Sequence, residues 1–162
     1  MTLLNAPEYN ERKERRKVGL LIGAGVLIVL AILVGMGGFI KGHGWFFSNL
    51  PVERRVDKFF QALESKDFER AYAIYWNDKN WKQHPQKYDY SLARFTEDWT
   101  AESPAGGPIR SHRVDVSKTA GDGTFGSTII IGVTVNGDKR LFMGYVRKDG
   151  TLFYPSTYQI QY

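Results

Sequence analysis

The chain has 162 residues, a formal net charge of +5 and no cysteine. That length holds one domain of ordinary size plus a short appendage, since domains cluster at roughly 100 to 150 residues, and the lack of cysteine excludes disulfides, thiolate metal ligands and a cysteine nucleophile together. Five cations at Arg12, Lys13, Arg15, Arg16 and Lys17 outnumber Glu8, Glu11 and Glu14 in the N-terminal tail, leaving a small excess spread over the rest, which reads as a solvated surface and not as a nucleic-acid interface.

From Val18 to Ile40 the chain carries no charge and is dominated by Leu, Ile, Val, Gly and Ala. As a helix this run would be about 34 Å long, a match for a hydrocarbon core of roughly 30 Å. A secretory signal peptide shares the pattern of a basic segment before an apolar one. The run is longer than the usual h-region of about 7 to 15 residues, however, and it ends in Gly35 to Ile40 without a clean small-x-small cleavage site, so an uncleaved anchor is expected. The basic cluster before it predicts a single-pass protein of the cell (inner) membrane, with residues 1–17 cytoplasmic and residues 41–162 periplasmic or extracellular. Trp45, Phe46 and Phe47 follow directly, where aromatic rings favour the headgroup region. Small residues recur at a spacing of four, Gly19 with Gly23, Ala31 with Gly35 and Gly38 with Gly42. Such pairs permit self-association or docking onto another membrane subunit, although glycine is common in membrane helices for other reasons.

After a linker over 41–51, Val52, Val56, Phe59, Phe60 and Leu63 form one apolar stripe of a helix beginning near Pro51, with Glu53, Arg54, Asp57 and Lys58 on the opposite face. Asp67 stands in N-cap position before a second short helix with Phe68, Ala71, Tyr72, Ile74 and Tyr75. Residues 77–89, polar and aromatic with Pro85, read as a loop; Asp89 or Ser91 then caps a third helix carrying Leu92, Phe95 and Trp99. The breakers from Ser103 to Pro108 mark the change to β structure. Ile109 to Ser117 form a first strand, and Ile129, Ile131, Val133 and Val135 share one face of a second. Asn136-Gly137 supplies a tight hairpin turn into a strand alternating Leu141, Met143 and Tyr145 with Phe142, Gly144 and Val146. Asp149-Gly150 turns into a last strand through Thr151 to Tyr162, interrupted at Pro155. The expected architecture is segregated α+β, three helices on a four-stranded antiparallel sheet.

The run Val56, Phe59, Phe60, Ala62, Leu63, then Asp67, Phe68, Ala71, Tyr72, then Phe95 and Trp99 before Gly107-Pro108-Ile109 and the paired strands resembles the NTF2-like, or cystatin-like, superfamily over residues 52–162. The resemblance implies a cone whose curved sheet wraps the first helix of the domain and leaves a pocket at the wide end. Enzymes of that superfamily place Asp, His or Tyr in the pocket, and Asp98, Asp115, His112, Tyr88 and Tyr145 are of suitable types here. In sequence Asp98 beside Glu97 reads as a solvated pair and Asp115 between two valines as the outward position of a strand, so no catalytic residue is assigned.

No metal site is expected from His43, His84 and His112, whose wide spacings fit no short ligand motif. No cofactor is expected either: Gly121-Asp122-Gly123 is a turn without the lysine and helix of a phosphate loop. Aromatic residues make up 14% of the chain, and Trp76, Trp81, Tyr88 and Tyr90 gather around the 77–89 loop. They form either a surface for a protein partner or apolar ligand, or a loop pinned by its own rings. Together these features point to a membrane-anchored, non-enzymatic binding or scaffolding module, an accessory subunit of a larger membrane complex. The alternative is a small-ligand-binding or isomerase- or dehydratase-like pocket protein.

Overall fold

The computed structural model describes residues 10–121, 126–156 and 160, and the chain divides into two compact units, one ending at Gly35 and one beginning at Met36. Helix α1 spans Glu11–Ile40. It begins seven residues before the apolar run, because Asn10 caps it by accepting the Lys13 amide at 3.1 Å and because Arg15 with Glu11 and Lys17 with Glu14 form ion pairs along its first turns. Among the described residues it is the one helix long and apolar enough to cross a membrane. Leu20, Leu21 and Leu27 are 74%, 73% and 68% exposed, and in water such a sleeve costs roughly 25 cal/mol per Å² of apolar surface.

Helix α2 runs Phe46–Glu64 and starts five residues earlier than Pro51 suggests. The Ser48 and Asn49 amides and the Ser48 hydroxyl all bond the Trp45 carbonyl, which closes a first turn that proline does not need to open. Val52, Val56, Phe59, Phe60 and Leu63 are buried, as their spacing predicts. Asp67 caps α3 (Phe68–Trp76) by accepting the Arg70 amide, and Ser91 caps α4 (Leu92–Asp98) by accepting the Arg94 amide. The expected loop between them holds two 3-10 turns, Trp81–Gln83 and Pro85–Lys87.

The sheet is a four-stranded antiparallel meander in chain order, β1 (His112–Ala120), β2 (Thr128–Val135), β3 (Lys139–Val146) and β4 (Leu152–Phe153). β1 starts three residues later than its apolar pattern suggests, and its register shifts between Val114 and Val116, so Asp115 bulges out of the ladder. Asn136 and Gly137 take φ of 52° and 101°, the left-handed pair a two-residue hairpin requires. The last strand is only two residues long; Thr157 to Gln159, Gln161 and Tyr162 lie outside the described residues, as does Asp122 to Phe125 with most of the expected Gly121-Asp122-Gly123 turn.

One face of the sheet, Ile129, Ile131, Val133, Val135, Leu141 and Met143, is buried in the same core as the stripe of α2 and the rings of α3 and α4. At the opposite face Gly144 admits the ring of Phe153: a Cβ at 144 would lie 2.0 to 2.5 Å from three of its atoms. Gly144→Ala is therefore expected to push the ring off β3, release β4 and cost about 2 to 3 kcal/mol. Urea unfolding checks this, and pairing the change with Phe153→Leu should restore part of the loss. A single change that melts like the parent would contradict the packing.

Candidate functional site

Two buried or part-buried polar clusters and two surface depressions carry the chemistry of the second unit. The first cluster lies where α2 meets β1. Glu53 is only 8% exposed, contrary to the outward face expected from its helix position. Its Oε1 accepts from the Ser117 hydroxyl at 2.5 Å and stands 2.9 Å from His43 Nδ1. The fully buried Asn49 donates to Ser117 Oγ at 3.0 Å and accepts from Ser48. The Ser117 amide bonds the Gly42 carbonyl at 3.0 Å.

These bonds tie the segment expected to be a linker onto the domain. Gly42 and Gly44, at φ of 78° and 59°, turn the chain there. Gly38 lets the Gly44 carbonyl approach to 2.3 Å from where a Cβ would stand. Gly38 and Gly42 are thus not one face of a membrane helix, because Gly42 lies beyond the end of α1 and meets Val116. Gly19, Gly23, Ala31 and Gly35 do lie within α1, with open space beside Gly19 and Gly23.

In the second cluster His112 is nearly buried, stacked on Phe60 at 5.4 Å, with Nδ1 2.6 Å from Glu64 and Nε2 3.0 Å from Asp57. The two carboxylates sit on opposite sides of the ring, and among the described residues no group of three such side chains converges on one point as metal ligands would. His84 is exposed.

Asp115 is held by Thr134 at 2.5 Å and by Arg113 at 2.7 Å. Burial raises its pKa, but these two bonds and the Arg113 charge outweigh it and leave the group below its ordinary value. The bulge, not strand alternation, sets its direction, and its side chain is 12% exposed where sequence predicts an outward one.

The expected aromatic surface turns mostly inward. Trp76 stacks on Tyr88 at 4.7 Å, Trp81 meets Tyr72 at 4.9 Å, and Tyr75 meets Tyr90 at 5.9 Å. The Tyr72 hydroxyl donates to the Tyr90 carbonyl and the Tyr88 hydroxyl to Asp78. Beside these rings a depression of about 420 Å³ is walled by Tyr75, Trp76, Tyr90, Trp99 and Tyr154, with Asp98 and Glu102 at its edge. Asp98 is no free solvated acid: Tyr90 donates to it at 2.8 Å and Arg94 pairs with it at 2.9 Å, while Arg94 also reaches Glu102. The site is an apolar aromatic hollow with an acidic edge, where Arg94 is shared by Glu97, Asp98 and Glu102. Tyr145 stands apart, its ring 6.0 Å from the Arg55 guanidinium.

The phenols of Tyr72, Tyr75, Tyr88, Tyr90 and Tyr154 all lie above the ordinary value of 10.0, burial being the largest cause in each and the Asp98 carboxylate the next for Tyr90. The folded state holds these protons more tightly than the unfolded chain does. Their contribution to stability is therefore complete below pH 10 and is lost as pH rises beyond it toward the folded values. Urea midpoints measured from pH 8 to 11 are expected to fall above pH 10, and Tyr90→Phe should flatten that fall; an unchanged midpoint would contradict it.

The second depression, about 650 Å³ between α2 and α3, is lined by Arg54, Arg55, Lys58, Arg70 and Lys79 over Pro51, Ala73 and Ile74. The positive excess that looks diffuse in sequence is gathered here. Sequence periodicity puts Arg54 and Lys58 on one face of α2 but does not show that Arg70 and Lys79 stand opposite, since that depends on how the helices pack.

Comparison with known protein families, with curated proteins and with solved structures finds no match for the chain.

Proposed function

We propose that this chain is a membrane-anchored, non-enzymatic module that binds or scaffolds other proteins, an accessory subunit of a larger membrane complex with an NTF2-like cone on the periplasmic or extracellular side. The observation that carries the reading is the way the domain interior is filled. Phe59, Phe60, Phe95, Trp99, Ile131, Val133 and Met143 occupy the space between α2 and the sheet, inside the cone that the superfamily resemblance implies. The acids and histidine of suitable type are each engaged with a neighbour, Asp98 with Tyr90 and Arg94, Asp115 with Thr134 and Arg113, His112 with Asp57 and Glu64. A general base acts within hydrogen-bond reach of the proton it removes, and these groups face partners within the fold.

The exposed apolar sleeve of α1 supports the anchor, as do Trp45 and Phe47, 36% and 50% exposed just after it. Cross-linking in intact cells followed by mild detergent purification tests the reading: a discrete complex with other membrane proteins is expected, and a lone monomer with no cross-linked partner would contradict it. The aromatic hollow favours a second reading, a small-ligand binder, because its volume falls within the roughly 300 to 1,000 Å³ of ligand pockets. An apolar ligand that quenches the tryptophan fluorescence of Trp76 and Trp99 would favour it.

A further inference from the structure

The groove between α2 and α3 has an unbalanced charge. Arg54, Lys58, Arg70 and Lys79 are exposed, and among the described residues none of them has a carboxylate within ion-pair distance. The acids of the surrounding elements are engaged elsewhere: Asp57 with His112, Glu69 with Lys82, Asp78 with Tyr88 and Lys87. Arg55 lies deeper. Its two terminal nitrogens donate to Asn77 Oδ1 at 2.8 Å and to the Ile74 carbonyl at 2.6 Å, while its Nε is buried with no partner. Asn77 is itself fixed to the Asp149 carbonyl at 2.8 Å, so the guanidinium is held in place. Burial lowers its pKa, against a smaller opposing effect of Tyr145, which is the mark of a desolvated cation without a compensating anion.

The apolar part of the groove is Pro51, Ala73 and Ile74, with cations contributed from both helices. From Pro51 to Lys58 the α2 wall rises about 10 Å, the length of three to four extended residues. Among the described residues the large exposed apolar side chains lie between Val18 and Phe47, and the groove rim carries none that would insert among lipid chains. Charge and shape together fit an extended segment of acidic residues.

We propose that this groove docks a short acidic peptide segment of a partner protein. The inference rests on the protein-binding reading above and deepens it, naming the chemistry the partner presents. Carboxylates of the segment pair with Arg54, Lys58, Arg70 and Lys79, and one of them approaches the fixed Arg55. Every pair except that at Arg55 is solvent-exposed, so binding is salt-sensitive and specificity comes from the opposed charges.

The test uses the full chain in nanodiscs of phosphatidylcholine and fluorescein-labelled glutamate oligomers as probes, read by anisotropy at low salt. A tetraglutamate is expected to bind within about threefold of an octaglutamate, because the groove wall is about 10 Å long. The exposed triple variant R54Q/K58Q/R70Q should weaken binding by about tenfold or more, while K118Q/K139Q, on the sheet, should leave it within about twofold. Equal loss in both variants, or none in either, would overturn the proposal. Acylation of Lys58 and Lys79 separates peptide from membrane: protection by the peptide in neutral discs supports the proposal, and protection by phosphatidylglycerol discs without peptide assigns the groove to lipid and overturns it. If cross-linked partners persist unchanged in the triple variant, the protein-binding reading survives and this docking site does not; if the parent chain yields no partner while the peptide still binds in the groove, the reverse holds.

Discussion

Phe59→Ala is expected to lower the stability of the domain by about 3 to 5 kcal/mol. The ring is fully buried, and its centroid lies 5.2 Å from Phe60, 5.2 Å from Trp99 and 6.1 Å from both Tyr75 and Phe95. It therefore joins α2, α3 and α4 in one contact set, and its removal leaves a cavity bounded by rigid rings that collapse poorly. At about 4 °C per kcal/mol for a domain near 100 residues, the melting temperature should drop by more than about 10 °C. Near-ultraviolet circular dichroism follows the aromatic shell directly. A loss below about 1 kcal/mol would mean that the rings repack and that the core is less fixed than its geometry implies.

Ser117→Ala should cost about 2 to 3 kcal/mol, although it removes a single oxygen. That oxygen donates to a nearly buried carboxylate and accepts from a fully buried amide, so its loss leaves both Glu53 and Asn49 short of a partner. An unpaired buried group costs its full desolvation, whereas removing both ends of a bond costs far less. The double variant Glu53→Leu, Ser117→Ala should accordingly be destabilised by less than the two single changes added together. Strict additivity in urea unfolding would show that Glu53 and Ser117 do not act as one network.

Much of the scaffold can be read from local patterns. The stripe from Val52 to Leu63 is legible because burial on one side of a helix imposes its period, and Asn136-Gly137 because few other pairs adopt two left-handed conformations in succession. The caps at Asp67 and Ser91 follow from the need of first-turn amides for an acceptor. What is not legible depends on partners distant in sequence. Glu53 looks solvated until Ser117, 64 residues away, is placed beside it. Residues 41–45 look like a free linker until the Gly42 carbonyl meets the Ser117 amide, and Asp115 looks outward until a bulge turns it toward Thr134.

The candidate surface behaves the same way. A cluster of Trp76, Trp81, Tyr88 and Tyr90 in sequence says that rings are gathered, but whether they face solvent or each other depends on the path of the chain between them. Here two 3-10 turns fold that path back, so Trp76 meets Tyr88 and Trp81 meets Tyr72. The basic groove is only half legible, since periodicity pairs Arg54 with Lys58 but its other cations come from a second helix and from beyond that helix's C-cap.

The placement of the domain rests on α1 staying in the bilayer, and the N-terminus of the protein recovered from carbonate-washed membranes tests this most directly. Terminal sequencing is expected to find Glu11 to Ile40 still attached to the domain, in the membrane pellet and not in the soluble fraction. A mature chain beginning downstream of Gly42 and released by the wash would show that the apolar segment is a cleaved signal, and the anchored-subunit account would be wrong.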